Sequence, residues 1–355
     1  MTFKTSADER ARPRALSTRL LGLLVSLALL LLAVVASIAI GSRGIPVDVV
    51  WATLADGLAG RAADRSATLS TDAIVILDSR LPRTAIAAAA GLALGVSGAL
   101  IQAVTRNPLA DPGILGVTSG SAFAVAIAVG VLGVTTVQGY LWFAFGGALV
   151  ATVVVYAIGS IGREGSSPIR LTLTGVALGA VLSGIVSAML LANPEGFSAM
   201  RAWESGSLEG RGWAGFLPVL PFIVVGCVIA FVIARALNAI ALGDDLAASL
   251  GARVGLTRAL AIVAVSLLAG GATAIAGPIA FVGLMIPHVA RWIVGPDQRW
   301  IVAYSIVLGP ILLLAADVVG RIVLRPGELP AGIVTACIGA PVLIALVRRQ
   351  KAFGL

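Results

Sequence analysis

The sequence predicts an all-α polytopic membrane protein with about ten transmembrane helices and both termini in the cytoplasm. Of its 355 residues, 59% are apolar and only 12% are charged, and the mean hydropathy is +1.03. Soluble domains usually contain about 45–50% apolar and about 25% charged residues. Since one membrane-spanning helix needs about 20 apolar residues, this composition is sufficient for about ten spans. It excludes ordinary soluble, disordered and disulfide-rich proteins.

Apolar runs of spanning length give the positions of these helices. Eight of them cover residues 20–40, 83–105, 114–134, 141–161, 171–192, 216–236, 300–323 and 329–347. A ninth run, 259–294, would be about 54 Å long as one helix, against a hydrocarbon core of about 30 Å. Gly277-Pro278 predicts a break there and therefore two spans. The first run exceeds the apolar core of a signal peptide, so we expect it to be retained.

The distribution of positive charge predicts the orientation. When the spans alternate, most of the 25 basic residues fall on the side that also holds the N-terminus, and the positive-inside rule makes that side cytoplasmic. The chain then divides into a cytoplasmic tail (1–19), one transmembrane domain (20–348) and a C-terminal tail (349–355). The outer loop 41–82 is an exception because it is rich in arginine. Its stretch 47–58 is amphipathic and is expected to lie at the membrane interface.

Residue types exclude several chemistries. A phosphate-binding P-loop needs a lysine after a glycine-rich turn, and neither Lys4 nor Lys351 has that context. Cys227 and Cys337 lie in apolar runs without metal or redox spacing. The single histidine, His288, is either a hydrogen-bonded core residue or a metal- or proton-handling group. We predict no catalytic, metal or cofactor residue, and attribute the net charge of +8 to lipid headgroups and orientation, not to nucleic acid.

Ionisable residues inside the predicted spans are few. Asp317 and Arg321 lie four residues apart and share a helical face, as in a structural ion pair. A proton- or sodium-coupled secondary transporter would need a series of such groups across the bilayer. An intramembrane enzyme would need a nucleophile and a base. Both classes are the less favoured alternatives.

Several motifs resemble, in order, the iron-siderophore/vitamin B12 permeases of ABC importers. They are R-L-P-R (80–83), G-A-L-I-Q (98–102), R-N-P-L-A-D-P-G-I-L-G (106–116), W-E-S-G-S-L (203–208), A-L-G-D-D-L-A-A-S-L-G (241–251), G-P-I-A-F-V-G-L-M-I-P-H-V-A-R (277–291) and E-L-P-A-G (328–332). The resemblance covers about residues 40–348. It implies a BtuC-like type II ABC importer permease fold with ten helices.

The same resemblance implies the partners. They are a second permease subunit (a heterodimer favoured over a homodimer), two ATP-binding subunits that hold ATP and magnesium, an extracytoplasmic substrate-binding protein and membrane lipid. The cargo would be a ferric siderophore imported across the cytoplasmic membrane of a bacterium. Vitamin B12 and haem are alternative cargoes.

Roles for individual residues also follow from the resemblance. The segment 239–255 matches the coupling helices that contact the ATPase, with Gly243, Asp244, Asp245, Leu250 and Gly251 as contact candidates. Arg80, Arg83 and Arg321 are expected to dock the binding protein, with lipid contact or intrasubunit pairing as the alternative. Ser166, Ser167, Thr172 and Thr174 are candidates for the pathway or gate, although the threonines could bond within their own helix. Motif residues with expected structural roles are Asn107, Pro108, Asp111, Pro112, Pro287, His288 and Asp317.

Overall fold

The computed structural model describes residues 16–58, 70–134, 136–161, 168–194 and 198–352, and the regular elements within these ranges are helices. The helices are α1 (Leu16–Ala39), α2 (Val47–Leu58), α3 (Thr71–Thr105), α4 (Val117–Gly130), α5 (Val137–Gly159), α6 (Pro168–Ala192), α7 (Ser198–Glu204), α8 (Gly212–Phe216), α9 (Leu220–Ile240), α10 (Asp244–Ser249), α11 (Val254–Ala276), α12 (Val282–Val294), α13 (Gln298–Val323) and α14 (Ala331–Ala352). The predicted all-α class is therefore confirmed for the described residues.

Seven of the described helices are long and apolar enough to cross a membrane: α1, α3, α5, α6, α9, α11 and α13. Shorter apolar helices stand at the other three predicted positions, in α4, in α12 and in the part of α14 from Ala331 to Ala345. Helix α1 begins at Leu16 and α14 continues to Ala352, and the predicted domain boundaries at residues 20 and 348 stay predictions. The count of ten spans and the cytoplasmic location of the termini stay predictions.

Helix α3 lies at the centre of the bundle and packs against α9, α11, α12 and α13. Glycines make this close packing possible, since a Cβ at Gly91 would lie only 2.5 Å from the Gly309 carbonyl oxygen of α13. One turn later, a Cβ at Gly95 would lie 3.0 Å from the Ser305 carbonyl oxygen. Small residues let membrane helices approach in this way. The four-residue glycine spacing thus marks a helix contact.

The predicted break at Gly277-Pro278 is confirmed, because α11 ends at Ala276 and α12 begins at Val282. Gly277 has a φ of 76°, and Phe281 adopts a φ of 69°, which is uncommon outside glycine. The Gly277 Cα approaches the Trp203 carbonyl too closely for a Cβ. Irregular backbone at membrane depth needs protein around it. The C-terminal end of α7, with Trp203, and the turn after it, with Gly206, supply that cover.

The N-terminal end of α3 differs from the prediction. The span was expected to begin at residue 83, whereas the helix begins at Thr71 and passes through a π-helical turn, Val75–Arg80. The apolar residues of this turn explain the difference, since Ile76 is fully buried. Arg80 therefore lies in a buried helical turn and not in an outer loop. The predicted amphipathic stretch is a helix, α2, with the same bounds.

Helices α1 and α6 are the least covered spans, each with 11% of its apolar window buried within the chain. On α6 the exposed apolar side chains include Ile169, Leu173, Val181 and Leu191. Their burial therefore depends on lipid or on another subunit.

Candidate functional site

Two clusters of charged side chains lie at opposite ends of α3. One, the Asp317 network, consists of Arg80, Arg83, Asp317, Arg321 and Glu328. The other, the Asp244 cluster, consists of Arg106, Asp244 and Arg258. At a rise of about 1.5 Å per residue, Arg83 and Arg106 are about 35 Å apart along the helix axis.

Asp317 on α13 is the shared acceptor of the first cluster. Its Oδ1 accepts from Arg83 Nε at 3.0 Å and Nη2 at 2.7 Å, and its Oδ2 accepts from Arg321 Nη2. Arg83 also pairs with Glu328. The Asp317 side chain has no exposed surface. A buried charge has to be paired and hydrogen-bonded, and here one carboxylate serves two guanidinium groups.

Two arginines of the network, Arg80 and Arg321, bind the C-terminal end of α1. The last carbonyls of a helix lack partners within it. Arg321 Nη1 donates to the carbonyls of Ser37 (2.7 Å) and Ile40 (2.8 Å), and Arg80 Nη1 donates to those of Ile38 and Ala39, both at 2.9 Å. Positive charge at this end also complements the helix dipole. Arg80 and Arg321 therefore anchor α1 to α3 and α13.

A polar cavity of about 50 Å³ lies beside this network, lined by the three arginines and Glu328 among others. Burial raises the pKa of Glu328, but the Arg83 guanidinium and a hydrogen bond with Ser42 lower it, and the net shift is downward. Glu328 is therefore held ionised beside Arg83.

The structure brings the three predicted docking arginines together, and it also forms the predicted pair between Asp317 and Arg321. Arg80 and Arg321 are only 4% and 2% exposed. Docking of a binding protein by these residues stays a prediction. Glu328 had a signal in the motif E-L-P-A-G but was given no role, and no sequence signal pointed to Ser37 as a partner of Arg321.

At the other end of α3, Asp244 joins two helices. Its Oδ1 lies 2.7 Å from Arg106 Nη2, and its Oδ2 lies 3.0 Å from Arg258 Nη2. Asp244 is the first residue of α10 and follows Gly243, whose φ of 112° favours glycine. Ala247, fully buried, fixes the inner face of α10.

The outer face of α10 presents an apolar and acidic ridge. Leu246 and Leu250 are 49% and 63% exposed. Asp245, which precedes Leu246, is exposed as well. Of the predicted contact candidates, Asp244 turns towards the arginines, whereas Asp245 and Leu250 face outward with Gly251. Sequence reasoning missed Leu246 as a surface residue. Such a ridge can bind a groove on another protein, because exposed apolar patches mark interaction sites.

The segment between α3 and α4 is held by its own side chains. Asn107 Oδ1 accepts from the Leu109 N–H at 2.9 Å, and Asp111 Oδ1 accepts from the Gly113 N–H at 2.8 Å. Asp111 thereby begins the 3₁₀ turn Pro112–Leu115. Burial raises the pKa of Asp111, partly opposed by the Gly113 hydrogen bond. Pro108 is half-buried and Pro112 is buried, so the segment is packed in protein from Ala110 onwards, whereas Asn107 and Leu109 are exposed.

The remaining predicted residues lie apart from both clusters. Pro287 is buried within α12, and the His288 ring meets Trp292 edge-on, with centroids 4.7 Å apart. Thr172 and Thr174 are half-buried on α6. Ser166 and Ser167 lie outside the described residues.

Comparisons with known proteins agree on one family. The model of the FecCD transport family matches residues 29–349. The ferric enterobactin transport system permease protein FepD of Escherichia coli K12 is 45% identical over 92% of this chain and 95% of its own. The iron(3+)-hydroxamate import system permease protein FhuB of Bacillus subtilis 168 is 40% identical over 93% of this chain and 83% of its own.

A solved structure shares the fold as well. It is described as an inward-facing conformation of a metal-chelate type ABC transporter, and it matches with a TM-score of 0.78 and 27% identity over 92% of this chain and 99% of that one. The family model and both relatives span most of the sequence. The chain therefore belongs to the FecCD transport family and is a multi-pass membrane permease of an ABC importer.

Proposed function

We propose that this chain moves a ferric siderophore into the cytoplasm as one of two permease subunits of an ABC importer. The observation that carries the proposal is the 45% identity with a ferric enterobactin permease over nearly the whole of both chains. Two separate ATPase subunits supply the energy and hold ATP and magnesium, while this chain needs no cofactor of its own. An extracytoplasmic binding protein delivers the chelate. Vitamin B12 and haem are the alternative cargoes.

In this proposal the ridge of α10 is the ATPase contact. Leu246 and Leu250 offer apolar area and Asp245 adds charge, which suits a cleft with an apolar wall and a basic rim. Gly243 and Gly251, with φ of 112° and 82°, bound the helix and permit its sharp turns. When ATP closes the ATPase dimer, α10 is displaced and the access of the pathway alternates.

The uncovered surface of α6 supports a permease pair. Its exposed apolar side chains leave much of the helix without partners from the described part of the chain. A second permease subunit would cover this surface and form a pathway with it. Thr172 and Thr174, with Ser166 and Ser167 just before α6 in the sequence, would contribute to that pathway. The family resemblance favours a different sister chain as that subunit.

Docking of the binding protein is assigned to the end of the bundle that holds the Asp317 network. Arg83 keeps 11% of its side chain exposed and is the direct-contact candidate for an incoming glutamate. Arg80 and Arg321 act through the positive field around them, because they are buried against α1. Such fields raise the association rate more than the affinity.

The test is uptake by a reconstituted importer. The chain, its sister permease, the ATPase and the binding protein are assembled in proteoliposomes, and accumulation of iron-labelled ferric enterobactin is compared with that of cobalamin and haem. We expect ATP-dependent accumulation of the siderophore. Accumulation of cobalamin or haem alone would assign the alternative cargo. Uptake that does not require ATP and is abolished by an ionophore would identify the chain as a secondary transporter.

A charge reversal tests the ATPase contact. Asp245→Lys should weaken co-purification of the ATPase, whereas Asp48→Lys, at an exposed acid on α2, should not. Equal ATPase recovery with both variants would remove α10 from the contact.

A further inference from the structure

We propose that Asp244, Arg106 and Arg258 form an ionic clamp that fixes α10 to the end of α3 and the start of α11, so that displacement of α10 is transmitted to both helices. The three side chains are positioning residues in energy coupling and do not themselves contact the ATPase. This inference rests on the proposed function, which supplies the partner that displaces α10.

The need for a clamp follows from the size of α10. The helix has six residues, Asp244–Ser249, and isolated helices shorter than about 12–15 residues are marginal in water. Its orientation therefore depends on what holds it. Ala247 packs inward, and the Asp244 carboxylate binds one guanidinium from α3 and another from α11.

The backbone conformation of Arg106 indicates that its side chain has a specific role in this contact. Arg106 follows the last residue of α3 with φ 51° and ψ 30°, in the left-handed region. Glycine is favoured at that position because it has no Cβ penalty. Gly243, which also has a positive φ, lies opposite, since a Cβ on it would come 4.0 Å from Arg106 Nη1. An arginine at a glycine-type helix end, aimed at Asp244, points to a role for its guanidinium.

Burial shows how displacement would enter the bundle. The Arg258 side chain is only 9% exposed, whereas those of Arg106 and Asp244 are 38% and 41% exposed. The Arg258 side of the clamp therefore reaches the core, whereas the Arg106 side lies at the surface. The helices that carry the arms, α3 and α11, are the most buried of the described spans, each with 78% of its apolar window covered. A shift of α10 that keeps both pairs intact has to move the centre of the bundle.

Arg106→Gly separates coupling from folding. Glycine suits the left-handed position, so the backbone of α3 should be undisturbed while one arm of the clamp is lost. The variant is assembled as the complete importer in proteoliposomes, and the measured quantity is the amount of ferric enterobactin transported per ATP hydrolysed. We expect unchanged ATPase recovery, an apparent Tm no lower than that of the wild type, and transport per ATP lowered at least about fivefold, the lower end of usual coupling effects.

Three further variants complete the experiment. Asp244→Ala should uncouple as Arg106→Gly does, and Asp244→Glu should restore part of the coupling because it keeps the charge. Arg235→Ala is the matched control, since Arg235 is exposed on α9, outside the segment 239–255, and forms an ion pair with no described residue. It should behave as the wild type.

The outcomes discriminate between the hypotheses. Transport per ATP at the wild-type level in both Arg106→Gly and Asp244→Ala would overturn the clamp. Loss of the ATPase subunits from both variants would also overturn it, because these residues would then be direct contacts. If the proposed function itself is wrong, the unaltered chain will already recover no ATPase or import no siderophore.

Discussion

Arg83 on α3 binds Asp317 on α13, 234 residues further along the chain, through two of its nitrogens. The same carboxylate accepts a hydrogen bond from Arg321. Two cations thus depend on one buried anion, and Glu328 adds a second salt bridge to Arg83. The stability of this end of the bundle is therefore concentrated in Asp317.

Asp317→Asn should destabilise the protein strongly. The amide preserves the shape of the side chain but leaves two buried guanidinium groups without their shared charge, and breaking a buried pair costs about 3–5 kcal/mol. We expect a marked fall in apparent Tm in mild detergent. Glu328→Gln is the control and should cost less, because Glu328 is more exposed and Arg83 would keep Asp317. Equal losses would contradict the central role of Asp317.

Gly98→Ala should disrupt the contact between α3 and α12. A Cβ at Gly98 would overlap the Gly283 carbonyl group, which is backbone and cannot rotate away. Overpacking of this kind costs about 1–3 kcal/mol or more. Gly255→Ala in α11 is the control, since a Cβ there meets nothing within 4 Å. Its thermal stability should equal or exceed that of the wild type, because alanine favours helix over glycine. A stable Gly98→Ala protein would show that the helices can separate.

The Asp111 carboxyl should give the protein a component of stability that falls as pH rises. Burial raises the folded-state pKa of Asp111, so the folded protein binds this proton more tightly than the unfolded chain does. The stabilisation is fully present below the unfolded pKa and is lost as pH rises through the folded pKa. Asp111→Asn keeps the acceptor for the Gly113 N–H and should flatten this slope between the two pKa values, as measured by Tm against pH.

Asp111→Ala is the comparison for that experiment. It removes the acceptor as well as the charge and should lower the stability by about 0.5–2 kcal/mol, the usual effect of losing a capping side chain. If the wild type and Asp111→Asn have the same pH profile, the carboxyl is not desolvated in the folded protein.

Gly339 and Phe281 should show energetic coupling. A Cβ at Gly339 of α14 would overlap the Phe281 side chain, whose residue already has a positive φ. Gly339→Ala should therefore lower Tm. Phe281→Gly removes both the obstacle and the unfavourable backbone conformation, so the double variant should be more stable than the sum of the single effects predicts. Strict additivity would mean that the two positions do not touch.

The sequence was sufficient for the helical class because apolar runs of spanning length have few other structural solutions. It also located the break at Gly277-Pro278, since glycine followed by proline interrupts backbone hydrogen bonding. The start of α3 was placed about a dozen residues too late, at 83 instead of Thr71. Polar residues such as Asp78 and Ser79 interrupt the apolar pattern of the sequence here. They belong to a helical turn whose other face, with Ile76, is buried.

The charged clusters were harder to foresee because their members are far apart in sequence. Arg83, Asp317 and Arg321 were each singled out, but their meeting depends on how α3 packs against α13. Asp244 was expected to face a partner protein. Its two arginines come from separate parts of the chain, so only the packed structure shows that the side chain pairs with both of them.

The anchoring of α1 has a consequence for biogenesis. Arg321, which binds the Ser37 carbonyl, is made 284 residues after it, when almost the entire chain has left the ribosome. Until then α1, with only 11% of its apolar window covered even in the finished protein, is attached to α3 through Arg80, which donates to the Ile38 and Ala39 carbonyls. The attachment of α1 is thus completed late in assembly, and a chain truncated before α13 should insert its first helix normally and lack the anchor that Arg321 supplies.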